Sequence, residues 1–431
     1  MIKKVRTYLF YFLLLLLPTQ LGRHFFFDFS LLSGIRSDYL APTIYLTDIV
    51  VLLIIFFGLF EFRISNLPVV SLPNPFRNSN FGFRIFIFLV CYLLFNVLVV
   101  ASNKWAAFYK LFKIIEFVLL GIVIVKIKPR IQHIIYTFSI GVIYSSFIAI
   151  FQFWQQKSIG GLLYWLGERT FTAFSPGIAA YSIGGRLMLR PYATFPHPNV
   201  LGGFLAVMLP VILFYIFQNR KGLNYLNILW YVIVLLSGFT ALIISFSKLA
   251  WLAVFVGMSF VFVMKNDRVR NTAKKYQRLF FLFILFLMIF SVVVLFLIQP
   301  GWENWTERLN LAKGALNVIV NNPFFGVGLN NSTIRLKEFI PSSFGLYIFQ
   351  PVHNVYLLIL AEVGLVGFSM LLIVLTILYR KILSADKIAV IAISQLLLMG
   401  MFDHYLWTLQ QGQLMAVLFI SLALIPRNAL N

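Results

Sequence analysis

The sequence predicts an all-α polytopic membrane protein with about twelve transmembrane helices and two long outer loops. Composition is the first reason: of 431 residues, 61% are hydrophobic and only 11% charged, with a mean hydropathy of +0.92. A soluble chain is about 45–50% apolar and about 25% charged. Spacing is the second, because the apolar residues fall in runs close to the ~20 residues a helix needs to cross a hydrocarbon core. No polar stretch is long enough for a separate soluble domain, so residues 1–431 read as one integral membrane domain. Cys91 is the single cysteine and lies in an apolar run, which excludes disulfide frameworks, zinc ribbons and cysteine-held clusters.

The chain opens with a basic flank, Met1 to Arg6, before the apolar Thr7–Leu17. Pro18, Thr19, Gln20, Leu21 and Gly22 offer no small-x-small cleavage pattern, so this segment is expected to stay as a first span rather than leave as a signal peptide. Spans are expected at 7–22, 43–60, 83–102, 105–126, 131–154, 199–217, 224–246, 249–264, 279–298, 353–378, 387–401 and 412–426. With both termini cytoplasmic, the short inner connections hold 21 of the 35 Lys and Arg residues, the run from Lys265 to Arg278 being the densest. This is the bias expected for cytoplasmic loops. The same distribution argues against nucleic acid as a partner despite the net charge of +22, because the cations punctuate apolar runs instead of gathering on one polar face.

Two outer segments are long, 155–198 and 299–352. Both mix Gly, Pro, Trp and charge, and are expected to hold amphipathic or re-entrant pieces rather than disorder. The first carries Lys157, Arg169, Arg186 and Arg190 against Glu168 alone. A positive outer loop opposes the topology bias, so either something outside needs the charge or the loop is long enough to translocate regardless.

Three groups of residues can carry chemistry, all on the outer side. Arg190-Pro191-Tyr192-Ala193-Thr194-Phe195-Pro196-His197-Pro198-Asn199 ends in a helix-start signal, placing Arg190, His197 and Asn199 near a helix N-terminus, which favours anions. Arg308 opens a segment with apolar residues at helical spacing, Leu309, Ala312, Leu316, Ile319 and Val320, stopped by Asn322-Pro323 and followed by Gly326-Val327-Gly328. His353-Asn354 starts the tenth span, with Glu362 deeper in it. Nine residues place His353 and Glu362 about 13.5 Å apart along a helix, too far to pair, and a carboxylate at that depth is expensive unless paired or protonated. The plainer readings are a capped interfacial loop for the first group, a snorkelling Arg308 for the second and a structural histidine for the third.

Together these segments resemble the O-antigen ligase and O-antigen polymerase superfamily of integral membrane proteins. The resemblance rests on Arg190 to Phe195 before Pro198-Asn199, on Arg308 followed by Pro323-Phe324-Phe325-Gly326-Val327-Gly328, and on His353-Asn354 with Glu362 and Gly364-x-x-Gly367. It covers residues 186–370 well. Ala193 stands where glycine is usual, and no Trp follows Arg308 in its helix.

The resemblance implies a GT-C-like fold in the cytoplasmic (inner) membrane with its site on the outer face. There a glycan would pass from undecaprenyl diphosphate to a sugar hydroxyl of a glycolipid or glycan acceptor, with no cofactor and no metal. Arg190 and Arg308 would clamp the diphosphate, Arg186 would assist, and His353 would be the base. His197, Asn199, Asn354 and Glu362 would contact substrate. Physical chemistry agrees: a guanidinium binds phosphate oxygens bidentately and stays charged, and an imidazole titrates in the range a general base needs. No Asp-x-Asp pair occurs, so leaving-group charge would fall to the arginines. A ligase is the first expectation and a polymerase with the same donor the second.

Two other readings stay open. Asp28 and Asp38 in the first outer loop could supply a carboxylate base. A lipid-linked glycan transporter could use Asp48, Lys110, Lys113, Glu116 and Glu362 within the spans, although the two halves of the chain show no similarity. Asp403-His404-Tyr405, with Trp407 nearby, could line a sugar groove or form an interfacial belt.

Overall fold

The computed structural model describes residues 2–64, 80–265, 305–340, 349–382 and 386–426. Fourteen α-helices are numbered here among the described residues: α1 (Ile2–Leu15), α2 (Leu46–Ile64), α3 (Asn80–Phe95, continued by a π segment Asn96–Val100), α4 (Lys104–Ile127), α5 (Ile131–Gln155), α6 (Pro198–Asn219), α7 (Tyr225–Ile244), α8 (Lys248–Lys265), α9 (Trp305–Asn321), α10 (Ser332–Leu336), α11 (Val355–Ile382), α12 (Lys387–Gly400), α13 (Tyr405–Thr408) and α14 (Gln410–Leu424). Antiparallel pairs decorate the loops: β1 (Gly22–His24) with β4 (Thr43–Tyr45), β2 (Leu31–Leu32) with β3 (Ile35–Arg36), and β5 (Ala180–Ile183) with β6 (Arg186–Leu189).

Among the described residues, four helices are long and apolar enough to cross a membrane: α5, α6, α7 and the Val355–Leu378 part of α11. Helices occupy eleven of the twelve expected spans. The span expected at 279–298 lies outside the described residues, as does nearly all of the basic run 265–278. The first expected span needs correction. Its helix begins at Ile2 and stops at Leu15, before Pro18, whose ring and missing N–H would break the interior of a helix. The long segment 155–198 holds a 3-10 turn (Gly161–Leu166) and the β5–β6 hairpin.

The centre of the molecule is α6, buried on nearly all sides and packed by α5, α7, α8 and α12. A helix apolar all round belongs inside a bundle. Its N-terminus carries His197 and Asn199.

The helix α11 is broken at Gly364, whose φ is 60°. The loop Pro323–Gly328 fills the break: Val327 and Gly328 donate to the carbonyls of Ala361 and Glu362 at 3.0 and 2.9 Å, and Leu365 and Val366 donate to those of Pro323 and Phe324 at 2.8 and 3.1 Å. A broken membrane helix is tolerated when protein groups satisfy the freed backbone. A Cβ on Gly364 would lie 2.4 Å from the Phe324 carbonyl oxygen, and one on Gly326 would lie 2.5 Å from the Glu362 backbone. Both glycine motifs of the sequence therefore serve one joint, which docks the loop after α9 onto α11.

Candidate active site

The segment before α6 is held from below by Gln152 of α5. Its side-chain oxygen accepts from the N–H groups of Tyr192 and Ala193 at 3.0 and 2.7 Å, and its amide donates to the Ala193 carbonyl and to Glu168 at 3.1 and 2.8 Å. Ala193 has φ 49°, the left-handed conformation that explains why glycine suits this position. The Arg190 guanidinium then donates from Nε to the Ser245 carbonyl (2.8 Å) at the end of α7, and from Nη2 to Asn199 Oδ1 (2.7 Å). Its Nη1 lies outside these two bonds. His197 caps α6, its Nδ1 accepting from the Asn199 N–H at 3.1 Å.

Asn199 passes the network to the connection between α12 and α13 by donating from Nδ2 to Asp403 Oδ2 at 3.2 Å. Arg308, in the first turn of α9, donates to the neighbouring Phe402 carbonyl at 3.2 Å. His404 lies beside them. Its N–H donates to Asp403 Oδ1 (2.8 Å), and its Nδ1 meets Thr408 Oγ1 (2.7 Å). The rings of His404 and His353 are 5.0 Å apart, and Tyr39 from the segment between α1 and α2 packs edge-on to His404 at 5.4 Å. His353 Nδ1 is buried with no hydrogen-bond partner among the described residues.

The electrostatics follow from this crowding. Burial lowers the His353 pKa well below the ordinary histidine value, and the charge of Arg308 lowers it further. Burial and then Arg190 lower His197 to about 3, which suits a ring nitrogen that must accept a hydrogen bond. Burial also lowers His404. Arg190 is lowered to about 10 by burial, Arg308 adding to the effect, and stays charged at neutral pH. Burial opposes ionisation of Asp403, but His404, His353 and Arg308 outweigh it and hold the carboxyl down to about 2. With the imidazoles neutral, Arg308 and the two N–H donors sustain that carboxylate.

Arg190, Arg308, His353, His197 and Asn199 thus come together from separate segments. Asn354 lies beside them as a cap, its Oδ1 accepting from the N–H groups of Tyr356 and Leu357 at 3.0 Å each and its Nδ2 donating to the Met401 carbonyl at 2.9 Å. Glu362 stands apart: its oxygens accept from Ser332 Oγ (3.2 Å) and Trp407 Nε1 (2.9 Å). Through Trp407 it braces α13, the short helix that follows Asp403 and His404. Arg186 is exposed near the tip of the β5–β6 hairpin, paired with Ile183, and does not join the cluster.

Asp403, His404 and Tyr39 are the members that sequence reasoning ranked too low or missed. The signal for the first two was an Asp-His pair in an otherwise apolar connection. Tyr39 gave none. The carboxylates considered as an alternative base, Asp28 and Asp38, are exposed. The polar groups within the spans close on one another, Lys113 pairing with Asp48 at 2.6 Å and with Glu116 at 2.9 Å. Lys110 donates to the Trp407 carbonyl and lies 4.3 Å from the ring of the same residue. Among the described residues no three His, Cys, Asp or Glu side chains are grouped to hold a metal.

Residues 231–372 match the family model described as O-antigen ligase. This match, over about a third of the chain, supports the resemblance to the O-antigen ligase and polymerase superfamily. No curated protein sequence matches the chain. The O-antigen ligase match contains Arg308, His353 and the Gly326–Gly364 joint, whereas Arg190 and Asn199 precede it and Asp403 and His404 follow it. Its members are membrane glycosyltransferase-type enzymes acting on lipid-linked glycans and acceptors.

Proposed function

We propose that the protein is an O-antigen ligase-type glycosyltransferase with about twelve spans and both termini in the cytoplasm. It would transfer a glycan from undecaprenyl diphosphate to a sugar hydroxyl at the outer face of the inner membrane. The observation that carries this reading is the convergence of Arg190, Arg308 and His353, from three segments distant in sequence, around Asp403 and His404. Two permanent cations beside an unpartnered imidazole nitrogen suit a reaction that must hold a diphosphate and remove a hydroxyl proton.

The acceptor oxygen attacks the anomeric carbon of the donor. The bond from that carbon to the diphosphate oxygen breaks, and its electron pair leaves with the diphosphate, whose charge Arg190 and Arg308 stabilise. The hydroxyl proton passes to His353. In the free protein Arg308 helps to keep that imidazole a weak base. A diphosphate bound at Arg308 cancels this positive field and raises the basicity of His353, so the base strengthens when the donor is in place. Asp403 steadies the imidazolium that forms. Without a metal, leaving-group charge rests on the arginines.

The test supplies purified protein with one synthetic undecaprenyl diphosphate-linked repeat unit, with and without a second glycolipid, and resolves products by size. A single transfer that requires the second glycolipid is expected, and chelator should leave it unchanged. A ladder of lengths from the repeat unit alone would assign the protein to the polymerases instead. Loss of activity on chelation, restored by Mg²⁺, would move the leaving-group charge from the arginines to a metal.

A further inference from the structure

The basic 155–198 loop has a use that the reaction does not absorb. Residues 156–175 fold as one unit at the end of α5. Lys157 bridges Thr172, Ala173 N–H donates to the Gln156 carbonyl (3.0 Å) and Ser158 N–H to that of Phe171 (2.9 Å). From this unit large apolar side chains point outward: Leu162 is 84% exposed, Trp165 67% and Phe174 96%, while Trp154 in the last turn of α5 is 75% exposed. Leu162 and Trp165 lie three residues apart in the 3-10 turn, which sets them on one stripe.

The charge on this surface has one sign. Glu168 is the sole acid between residues 155 and 198, and it is buried, its carboxylate accepting from Gln152 and from the N–H groups of Ile159 and Gly160 at 2.7–2.8 Å. Lys157 and Arg169 stay exposed. A loop that withdraws its only carboxylate and presents aromatics among cations has the make-up of an interfacial membrane anchor.

We propose that the 156–175 unit docks on the membrane surface beside α5, its aromatics entering the headgroup layer and its cations binding anionic phospholipid. Continuity supports this occupant, because Trp154 ends a helix long and apolar enough to cross the membrane and the unit begins two residues later. Through Arg169, which donates to the Pro196 carbonyl at 3.4 Å and lies 5.8 Å from the Tyr192 ring, the docked unit would also set the depth of the segment bearing Arg190. The proposal depends on the outer-face orientation only for which leaflet is bound.

The experiment places one environment-sensitive fluorophore on Phe174→Cys in a Cys91→Ala background. The full chain is reconstituted in lipid nanodiscs, which leave both faces accessible, so shielding does not depend on orientation. In discs containing phosphatidylglycerol the probe should be several-fold less accessible to an aqueous quencher than in discs of phosphatidylcholine alone. Raised salt or Lys157→Glu should restore access, the thermal transition in detergent showing that the variant is folded. Full access in both lipids would overturn membrane docking, and equal shielding in both would overturn the anionic-lipid assignment. Shielding that appears only when an anionic glycan is added would overturn it in favour of substrate binding.

Discussion

At the residue scale, the two arginines differ in how firmly they are held. Among the described residues, Arg190 is fixed by two protein acceptors, whereas Arg308 is held by one backbone carbonyl. Arg190→Lys removes the fork and both anchoring bonds while keeping a positive charge. Activity in the lipid-linked transfer assay should fall about 10- to 100-fold, which is roughly 1.4 kcal/mol per decade, with normal abundance in the membrane. Full activity would leave point-charge attraction as a sufficient account of the site. His353 makes a second prediction. Its lowered pKa means that the free protein already holds it neutral, so kcat/KM should be flat through the ordinary histidine range near pH 6.5 and decline only at more acid pH. An inflection near 6.5 would mean that the imidazole is open to water.

His197 tests the same electrostatics through stability. Its folded pKa is lowered to about 3, against an ordinary value near 6.5 in an unfolded chain. As pH falls through 6.5 the unfolded state takes up a proton that the folded state refuses. Stability is therefore lost progressively between about 6.5 and 3. His197→Asn keeps a side-chain acceptor for the cap and cannot titrate, so its thermal transition should fall less steeply over that window than the wild type's. His353 and His404 are lowered too and should preserve part of the slope.

At the element scale, the broken helix α11 and the loop Pro323–Gly328 form one joint, and Gly364 is its narrowest point. Gly364→Ala places a Cβ 2.4 Å from the Phe324 carbonyl oxygen at a φ of 60°. At φ 60° and ψ −174° the backbone lies in a region essentially reserved for glycine, which costs about 1–3 kcal/mol for a residue with a Cβ, and the clash adds to it. The variant should show a lower thermal transition and lose activity, since the joint sets α9 and its Arg308 against α11 and His353. Gly222→Ala meets nothing closer than 3.7 Å and should match the wild type. Much of this element was legible: the helix start at Pro198, the helix after Arg308 and its stop at Asn322-Pro323 follow from capping and proline chemistry. Val320 was expected on the apolar stripe and is 74% exposed, because the described partners of α9 lie along Leu311, Ala312 and Ala315.

At the scale of the whole molecule, the proposed orientation makes the site extracytoplasmic. Single cysteines at Ser182 and Lys221, both exposed in the structure, report the two sides once Cys91 is replaced. An impermeant thiol reagent added outside intact cells should label position 182 and spare 221. The reverse pattern would place the arginine and histidine cluster in the cytoplasm and remove the lipid-linked donor of the outer face from its reach.

Apolar run length, the sidedness of Lys and Arg and the cap signals are local or periodic properties of the chain, and they determined the all-α membrane class, most helix positions and the candidates Arg190, Arg308 and His353. Partnership is not local. The carbonyl of Ser245 that anchors Arg190 carries no side-chain signature, Tyr39 reaches His404 across more than three hundred residues, and Asp403 gains its role from Asn199 and Arg308 on other helices. Glu362 shows the converse. Its buried carboxylate was a fair candidate for substrate in sequence, and only packing disclosed that Ser332 and Trp407 already occupy it. A chain can announce where a costly group lies, because burial follows hydropathy, but which neighbour compensates that group is decided by the helix packing that brings them together.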